Sequence, residues 1–342
     1  MFSRATAPRP PDLLIDLGTA STRIRSRGKG LLVDEPTVVA THRGARGREV
    51  VAVGTEAKAM LGRTPTGTQV VRPVIGGVVA DFEATEELLR ALIRQAVGRT
   101  VLRPRVAVCV PSTTSEVERR AVQDSARAAG AREVLLLPTA MCAAAGAGLP
   151  VTEAVGSAIV DVGAGRTEVA VVSLGGMVVY RSSVVAGDAF DEAIAAWLLQ
   201  AADLLVGAGT AEAVKLQIGG VAGMDGPTLR TVIRGRDRYD GGPQELALTS
   251  DQLWHATAPI AAQVRDAVLE VLRETPPELA ADIVDRGILV CGGGALLRGL
   301  PAMLREATGL PVLLADDPLH CVALGAERIA SDPALLGRLV VG

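Results

Sequence analysis

One short pattern occurs twice in this chain, as Asp16-Leu17-Gly18-Thr19-Ala20-Ser21-Thr22 and as Asp161-Val162-Gly163-Ala164-Gly165-Arg166-Thr167. Both copies read Asp, apolar, Gly, three further residues and Thr, and each follows an apolar run typical of a buried strand. Each also leads into a second extended segment, residues 22–25 in the first copy and 168–173 in the second. The repeat therefore predicts two equivalent β-hairpins and two related α/β lobes that face each other.

Strand and helix patterns alternate along the chain, which indicates an α/β fold with mostly buried sheets. The 342 residues are enough for two domains of ordinary size. We expect strands at residues 13–15, 51–53, 106–110, 134–137, 158–160, 169–172 and 288–290. We expect helices at 86–97, 115–129, 190–206, 211–218, 252–274 and 295–306, the second of them capped by Ser112, Thr113 or Thr114.

The repeated turns have the residues that a phosphate site needs. A glycine in a turn after a strand lets backbone N–H groups approach a phosphate, and a carboxylate at the strand end can hold Mg²⁺ through its waters. A third candidate is the strand at 288–290, which runs into Gly292-Gly293-Gly294 and a predicted helix starting at Ala295. One such turn fits an ordinary β-turn equally well, but three together favour a nucleotide clamped between two lobes.

Other nucleotide and catalytic motifs are missing from the sequence. It has no Gly-x-x-x-x-Gly-Lys-Ser/Thr loop, no Gly-x-Gly-x-x-Gly after the first strand and no Gly-x-Ser-x-Gly elbow. Four separated cysteines, Cys109, Cys142, Cys291 and Cys321, predict buried thiols in a reducing cytoplasm, and Cys291 is better explained as a small buried residue than as a nucleophile.

Composition argues against nucleic acid as a partner. Aromatic residues make up 2% of the chain, and 35 basic residues are balanced by 38 acidic ones, so neither a stacking platform nor a basic surface is expected. Residues 134–152 carry no charge, but Pro138 and Pro150 interrupt them, so we expect a strand, a turn and a short buried helix rather than a membrane span.

These residues resemble those of the MreB family of bacterial actins, including its MreB-like (Mbl) members, within the actin, Hsp70 and sugar-kinase superfamily. The resemblance covers nearly all of residues 12–330. It is carried by Asp16-Leu17-Gly18-Thr19-Ala20, Gly77-Val78-Val79-Ala80-Asp81-Phe82, Val117-Glu118-Arg119-Arg120-Ala121, Thr167-Glu168-Val169-Ala170-Val171 and Gly292-Gly293-Gly294-Ala295-Leu296-Leu297-Arg298-Gly299.

The resemblance implies an actin-like two-lobe fold of duplicated ribonuclease H-like domains, with four subdomains and a nucleotide cleft between the lobes. Lobe I would comprise residues 10–150 and 320–342, with a small filament-contact subdomain inserted at about 32–75. Lobe II would comprise residues 151–319, with a small subdomain inserted at about 188–256.

The resemblance also implies a site for ATP or ADP with Mg²⁺. Asp16, Gly18, Thr19 and Ala20 would meet the terminal phosphates from one lobe, and Asp161, Gly163, Ala164, Gly165 and Arg166 from the other. Gly292, Gly293 and Gly294 would lie along the adenosine and α-phosphate, and Glu212 and Lys215 would hold the ribose and adenine. Asp16 and Asp161 would hold the metal through water.

Two departures from the family pattern affect the expected chemistry. Family members carry a Glu-Glu-Pro-Met-Ala-Ala-Ala stretch whose carboxylate orients the attacking water, and this chain has Pro138 and Thr139 in place of both glutamates. The second turn, normally Gly-Gly-Gly-Thr, has Arg166 in place of the threonine. Thr139 can hydrogen-bond a water but cannot accept a proton as a carboxylate does. The sequence leaves Arg166 three orientations, toward a γ-phosphate, toward solvent or into the pocket, and we expect at most a slow ATPase.

The resemblance implies a cytoskeletal protein that polymerises head to tail into filaments and helps organise cell-wall synthesis and cell shape. Its expected partners are other copies of itself, paralogous MreB-type subunits and membrane-bound wall-synthesis proteins such as MreC and RodZ. We expect it in the cytoplasm, at the inner face of the membrane if a surface contact exists. An N-terminal helix for that contact is doubtful in Met1–Pro11, and the loop at Val101 and Leu102 fits either a membrane contact or a plain connection.

Three other functions compete with this one. The first is a nucleotide-binding regulatory partner of another filament protein that does not itself hydrolyse nucleotide. The second is a small-molecule kinase of the same superfamily, which would need a carboxylate base in the cleft. The third is an Hsp70-type chaperone, which would need a β-rich domain after the lobes, whereas only a short stretch follows Ile329.

Overall fold

The computed structural model describes residues 9–44, 47–98, 103–221 and 227–340. Within these residues the strands are β1 Leu13–Leu17, β2 Ser21–Ser26, β3 Gly30–Pro36, β4 Val39–Gly44, β5 Gly47–Val53, β6 Thr68–Val71, β7 Val74–Ile75, β8 Val78–Val79, β9 Arg105–Val110, β10 Glu133–Pro138, β11 Ser157–Val162, β12 Thr167–Ser173, β13 Gly176–Ser183, β14 Leu204–Leu205, β15 Arg230–Asp237, β16 Pro243–Thr249, β17 Ile288–Cys291 and β18 Val312–Leu314.

The helices of the same residues are α1 Gly54–Ala59, α2 Phe82–Val97, α3 Glu116–Ala128, α4 Thr139–Gly146, α5 Gly187–Ala202, α6 Ala208–Ile218, α7 Ser250–Glu274, α8 Pro277–Arg286, α9 Leu300–Thr308, α10 Cys321–Ser331 and α11 Pro333–Leu339. A 3-10 helix covers Gly293–Leu296.

Two five-stranded sheets share one strand arrangement. The first runs β10-β9-β1-β2-β3, and the second, read from its other edge, runs β18-β17-β11-β12-β13. In both sheets the hairpin that carries the Asp-Gly pattern, β1–β2 or β11–β12, is antiparallel, and its first strand pairs in parallel with β9 or β17. The duplication predicted from the repeat is therefore confirmed, and the lobes are named I and II after the sheets that contain β1 and β11.

The strand residues of each sheet alternate between two cores, as the period of an extended chain requires. In lobe I, Leu13, Ile15 and Leu17 face α2 and α3 on the outer side, while Leu14 faces the side shared with the other sheet. In lobe II, α7, α8 and α9 cover the outer face. Among the described residues, Phe190 is the largest fully buried side chain, and the others of that set are Leu, Ile and Met, so the core is aliphatic as the composition predicts.

Helices α4 and α10 lie between the two sheets and pack on each other. A Cβ on Gly146 would lie 1.7 Å from the carbonyl oxygen of Cys321, and one on Gly325 would lie 1.7 Å from that of Cys142. The two helices therefore cross with their backbones in contact, which is possible only with glycine at both positions. All four cysteines are buried free thiols in this shared core, as predicted.

Two smaller groups of elements extend from the lobes. Strands β4, β5 and β6 form a three-stranded sheet with α1 beside it. Helices α5 and α6 pack with the three-stranded sheet β14-β15-β16 around a core that includes Ile194, Leu198 and Val214. The residue limits of the small subdomains and of the lobes stay predictions.

All seven predicted strands are present, and α2 buries Leu88, Leu89, Leu92 and Ile93 on the predicted face. The uncharged segment forms β10 and the buried α4, as predicted. Among the described residues, no helix combines the length and apolarity that crossing a bilayer requires.

The structure corrects several local predictions, among them the starts of the helices predicted at residues 86 and 211, which begin at Phe82 and Ala208. No helix starts at Ala295, because Gly299 takes a left-handed conformation (φ 81°) and Pro301 occupies the first turn of α9, so the regular helix starts only at Leu300. Helix α3 is capped by Ser115 and not by residues 112–114, since Ser115 and Glu118 form a capping box. Helix α5 spans Gly187–Ala202, not 190–206, and ends where Asp203 adopts φ 51°.

The segments considered for a membrane contact lie largely outside the described residues. Only residues 9–11 of Met1–Pro11 are described, and Val101 and Leu102 are not.

The close helix crossing generates a stability prediction. Gly325→Ala should lower the free energy of unfolding by about 3 kcal/mol or more, because the added Cβ overlaps backbone that can yield only if α4 and α10 separate. The control is Gly209→Ala in α6, where nothing lies within 4 Å of the added Cβ and the change should be neutral or slightly stabilising. Urea denaturation of both variants checks this, and equal midpoints would contradict the inferred backbone contact.

Candidate functional site

The two repeated turns have the same backbone geometry. In the first, the N–H of Gly18 donates to the carbonyl of Ser21 at 3.1 Å, and in the second the N–H of Gly163 donates to the carbonyl of Arg166 at 2.9 Å. A Cβ on Gly18 would lie 2.7 Å from the Ser21 oxygen, and one on Gly163 would lie 3.0 Å from the Arg166 oxygen. Both turns are therefore tight at the position where the sequence repeats its glycine.

Each turn presents a carboxylate from the strand before it. Asp16 on β1 lies beside Cys109 of β9, and Asp161 on β11 lies beside Cys291 of β17, so the two acids occupy equivalent positions in their sheets. Both belong to the lining of one cavity of about 270 Å³ between the lobes. That cavity is also lined by Gly18, Thr19, Ala20, Gly163, Ala164, Gly165, Arg166, Gly292 and Gly293.

Burial perturbs both carboxyl groups. Desolvation raises the pKa of Asp16 to about 6, against the opposing effect of the Arg23 guanidinium, which lies 3.9 Å away. Desolvation raises the pKa of Asp161 to about 7, and the nearby Glu168 carboxyl raises it further. Two carboxylates that face one cavity and are costly to ionise fit a bound divalent cation, because hard oxygen ligands are what Mg²⁺ prefers and its charge would favour their ionised forms.

The glycine loop after β17 contributes only part of the predicted segment to this cavity. Gly292 has φ 81°, and a Cβ there would lie 2.4 Å from the Asp161 carboxylate, so this loop packs directly behind the metal-binding candidate. Gly292 and Gly293 line the cavity. Gly294 does not, because it packs against the side chain of Val162.

The two lobes touch at the back of the cavity. The N–H of Gly77, in the β7–β8 hairpin, donates to the Thr19 hydroxyl at 2.9 Å. A Cβ on Gly165 would lie 2.4 Å from that same hydroxyl. Arg166 donates from Nε to the carbonyl of Gly76 at 2.7 Å and from Nη1 to the Ser182 hydroxyl at 3.0 Å, so its guanidinium bridges the lobes at the cavity wall.

Glu212 and Lys215 line a neighbouring cavity of about 280 Å³, which shares Ala20 and Ala164 with the first. Lys215 Nζ lies 2.8 Å from Asp191 and also donates to the carbonyl of Gly187. Glu212 accepts from Lys58, which comes from lobe I, at 3.0 Å. Another ion pair across the cleft joins Arg72 and Asp188 at 2.8 Å.

Thr139 lines the main cavity at the first residue of α4, and Pro138 does not. Thr139 therefore lies in the cavity wall at a position where the family pattern has a glutamate.

Glu168 is a cavity residue that motif reasoning missed as a functional group. It is 3% exposed and accepts a hydrogen bond from the N–H of Ser112 at 2.8 Å through Oε1. Its Oε2 is buried without a hydrogen-bond partner among the described residues. Burial raises the pKa of the Glu168 carboxyl above its usual range, against the opposing effects of Ser112, the Arg166 guanidinium and the Ser182 hydroxyl. The signal in the sequence is register, because Glu168 pairs with Asp161 across the β11–β12 hairpin and so shares its face.

The chain is similar to known proteins over nearly its whole length. A family model described as MreB/Mbl protein matches residues 10–337. The cell shape-determining protein MreB of Escherichia coli strain K12 is 48% identical over 323 residues, which cover 93% of this chain and 92% of that protein. The cell shape-determining protein Mbl of Bacillus subtilis strain 168 is 40% identical over 315 residues, covering 92% and 94%.

Solved structures of similar proteins have the same fold as this chain. The crystal structure of MreB5 of Spiroplasma citri bound to ADP has a TM-score of 0.88 and 34% identity, and covers 94% of this chain and 96% of its own. The structure of the same protein bound to AMPPNP has a TM-score of 0.86 and 33% identity, with the same coverage. The actin-like α/β fold expected from the sequence is thereby confirmed.

The raised pKa of Asp161 generates a pH prediction for the protein without nucleotide or metal. A carboxyl whose pKa is about 7 when folded and about 4 when unfolded favours the folded state most below pH 4, and this contribution is lost as the pH rises toward 7. The Asp161→Asn variant has no titrating carboxyl at this position, so it does not lose folding stability in this way as the pH rises. In EDTA the variant should be more stable than the wild type at pH 8, by a few kcal/mol in order of magnitude, and the difference should shrink at pH 5.

Urea denaturation at the two pH values measures the effect. Asp285→Asn, which changes an exposed acid on α8, serves as the control and should show no such trend. A stability difference for Asp161→Asn that is the same at pH 5 and pH 8 would contradict the desolvation argument.

Proposed function

The chain belongs to the MreB/Mbl family, and from that premise we propose that it is an ATP-binding actin-like subunit that polymerises into filaments and helps organise cell-wall synthesis and cell shape. This proposal rests on the pair of equivalent Asp-Gly turns, one from each lobe, that line one cavity with two desolvated carboxylates. A polyphosphate with its metal supplies the matching charges, because turn amides bind phosphate oxygens and the cation binds the carboxylates.

In this proposal the residues keep the roles that the family resemblance implies. The turns at Gly18–Ala20 and Gly163–Gly165 contact the β- and γ-phosphates, and Asp16 and Asp161 hold Mg²⁺ through water. Gly292 and Gly293 lie along the α-phosphate and adenosine, with Gly294 supporting them from behind. The neighbouring cavity with Glu212 and Lys215 accommodates ribose and adenine, since it adjoins the first at Ala20 and Ala164.

The relatives support this choice of ligand. MreB5 of Spiroplasma citri, which has the same fold over nearly the whole chain, was crystallised with ADP and with AMPPNP. Adenine nucleotide in either state, ATP or ADP, is therefore the ligand we propose, with Mg²⁺ as its companion ion.

We propose that nucleotide binding controls the assembly of this protein into filaments. Head-to-tail contacts between identical subunits give filaments when the rotation between subunits does not close into a ring. Closure of the cleft would set the relative position of the two lobes and with it the shape of each contact, and the Lys58–Glu212 and Arg72–Asp188 pairs already span the cleft. We propose paralogous MreB-type subunits and membrane-bound proteins such as MreC and RodZ as partners, and a location in the cytoplasm at the inner face of the membrane.

A second candidate is a regulatory partner that binds nucleotide without hydrolysing it. Thr139 favours this candidate, because it puts a hydroxyl where the family pattern has a carboxylate. Arg166 favours it as well, since its guanidinium is engaged with Gly76 and Ser182 in place of the family threonine hydroxyl.

The first prediction concerns assembly. Full-length protein should sediment as filaments with Mg²⁺ and AMPPNP and stay in the supernatant with EDTA, because the metal and phosphates join the lobes. Arg72→Ala should reduce the difference in sedimented protein between Mg²⁺-AMPPNP and EDTA, since it removes the cleft-spanning pair with Asp188. Electron microscopy of the pellets identifies filaments. Protein that binds AMPPNP but never sediments would favour the regulatory partner instead.

The second prediction concerns hydrolysis. Thr139→Glu should raise the single-turnover rate of phosphate release by about 10- to 100-fold, because it puts a water-orienting carboxylate at the cavity wall. Thr139→Gln, which has the same shape without the charge, is the matched control and should leave the rate near that of the wild type. Equal rates for all three proteins would show that the residue at this position does not limit hydrolysis.

A further inference from the structure

Glu168 has the properties of a group that acts on a ligand. Its carboxyl is more than nine-tenths buried, lines the cavity between the lobes and has one oxygen held by the N–H of Ser112. The other oxygen has no partner among the described residues. A buried carboxylate oxygen without a hydrogen bond costs folding free energy. We therefore expect the ligand of this cavity to bring a hydrogen-bond donor to it.

Its position fits the back of the proposed phosphate site. Glu168 pairs with Asp161 across the β11–β12 hairpin, so the two carboxyl groups leave the same face of the hairpin on either side of the 163–166 turn. The N–H that holds it comes from Ser112, which follows β9 of lobe I, so its carboxyl is fixed from both lobes. The hydroxyl of Ser112 is also buried without a partner among the described residues.

We propose that Glu168 orients the water that attacks the γ-phosphate of ATP, and so partly replaces the acceptor that the family pattern has at the Pro138–Thr139 position. This rests on the proposed function, since it assumes ATP in the cavity. The free Oε2 of Glu168 accepts one hydrogen bond from the water, and Thr139 is a further polar residue of the same wall.

The reaction is an ordinary hydrolysis. The water oxygen forms a bond to the γ-phosphorus, the bond from that phosphorus to the β–γ bridging oxygen breaks, and ADP leaves with the electron pair. The proton that the water loses passes to an oxygen of the phosphate produced. Glu168 neither gains nor loses a proton overall, because its part is to hold the water in line with the leaving group.

The experiment uses the full chain with Mg²⁺ and compares Glu168→Gln with Glu153→Gln, which changes an exposed acid on the surface. Fluorescent AMPPNP measures affinity, and phosphate release under single-turnover conditions measures the chemical step. Glu168→Gln should slow release by about 10- to 100-fold with affinity changed by less than about threefold, since the water is not part of nucleotide binding. Glu153→Gln should change neither.

The double variant Glu168→Gln/Thr139→Glu distinguishes an acceptor for water from a structural role. A carboxylate at position 139 faces the same cavity and should restore most of the rate, which it could not do if Glu168 only held the fold. If Glu168→Gln proves unstable, Glu168→Asp keeps the charge and withdraws it by about 1.5 Å, and should slow release by a similar factor.

Three results would overturn the assignment. They are wild-type and Glu168→Gln rates within twofold of each other, a loss of AMPPNP affinity as large as the loss of rate, and wild-type protein that binds AMPPNP but releases no phosphate. In each of these the wild type still binds nucleotide, whereas wild-type protein that fails to bind Mg²⁺-AMPPNP would refute the proposed function itself.

Discussion

The backbone contact between α4 and α10 determines how the rest of the molecule is arranged. Gly146 and Gly325 bring the two helices so close that a single methyl group would not fit at either point. Because α4 follows β10 of lobe I and α10 packs on both β1 and α4, this contact sets the separation of the two sheets. The ends of β1 and β11, with Asp16 and Asp161, consequently face one narrow cavity and not open solvent.

Bringing two carboxyl groups into that cavity has an electrostatic cost. Desolvation raises the pKa of both, and the charge of Asp16 raises the pKa of Asp161 further. Proteins keep such groups where an ion or a ligand compensates, because an isolated buried charge is otherwise neutralised by protonation. A metal-bound polyphosphate resolves the conflict, since its cation favours the ionised carboxylates and its anionic oxygens match the turn amides. The same features that would destabilise the cavity without a ligand therefore define that ligand.

Much of the fold could be predicted because its signals are local. The Asp-Gly repeat predicted both hairpins, and the apolar spacing of α2 predicted its buried face. The predictions failed where a single backbone conformation decides the outcome. Gly299 with φ 81° separates the glycine loop from α9, and Asp203 with φ 51° ends α5.

The site was predictable only in part, because some of its residues meet through tertiary structure alone. Both turns and both acids were readable from the repeat. The role of Glu168 depends on its distance from Ser112, which is 56 residues away in sequence. The pairing of Lys58 with Glu212 joins different lobes, and no local pattern predicts such a contact.

The most direct test of the central claim is the position of bound nucleotide in a crystal structure of this chain with Mg²⁺ and AMPPNP. We predict that the β- and γ-phosphates lie between the turns at Gly18–Ala20 and Gly163–Gly165, with the metal within reach of Asp16 and Asp161 through its waters. A nucleotide bound elsewhere, or phosphates contacted by only one of the two turns, would contradict the clamp between the lobes.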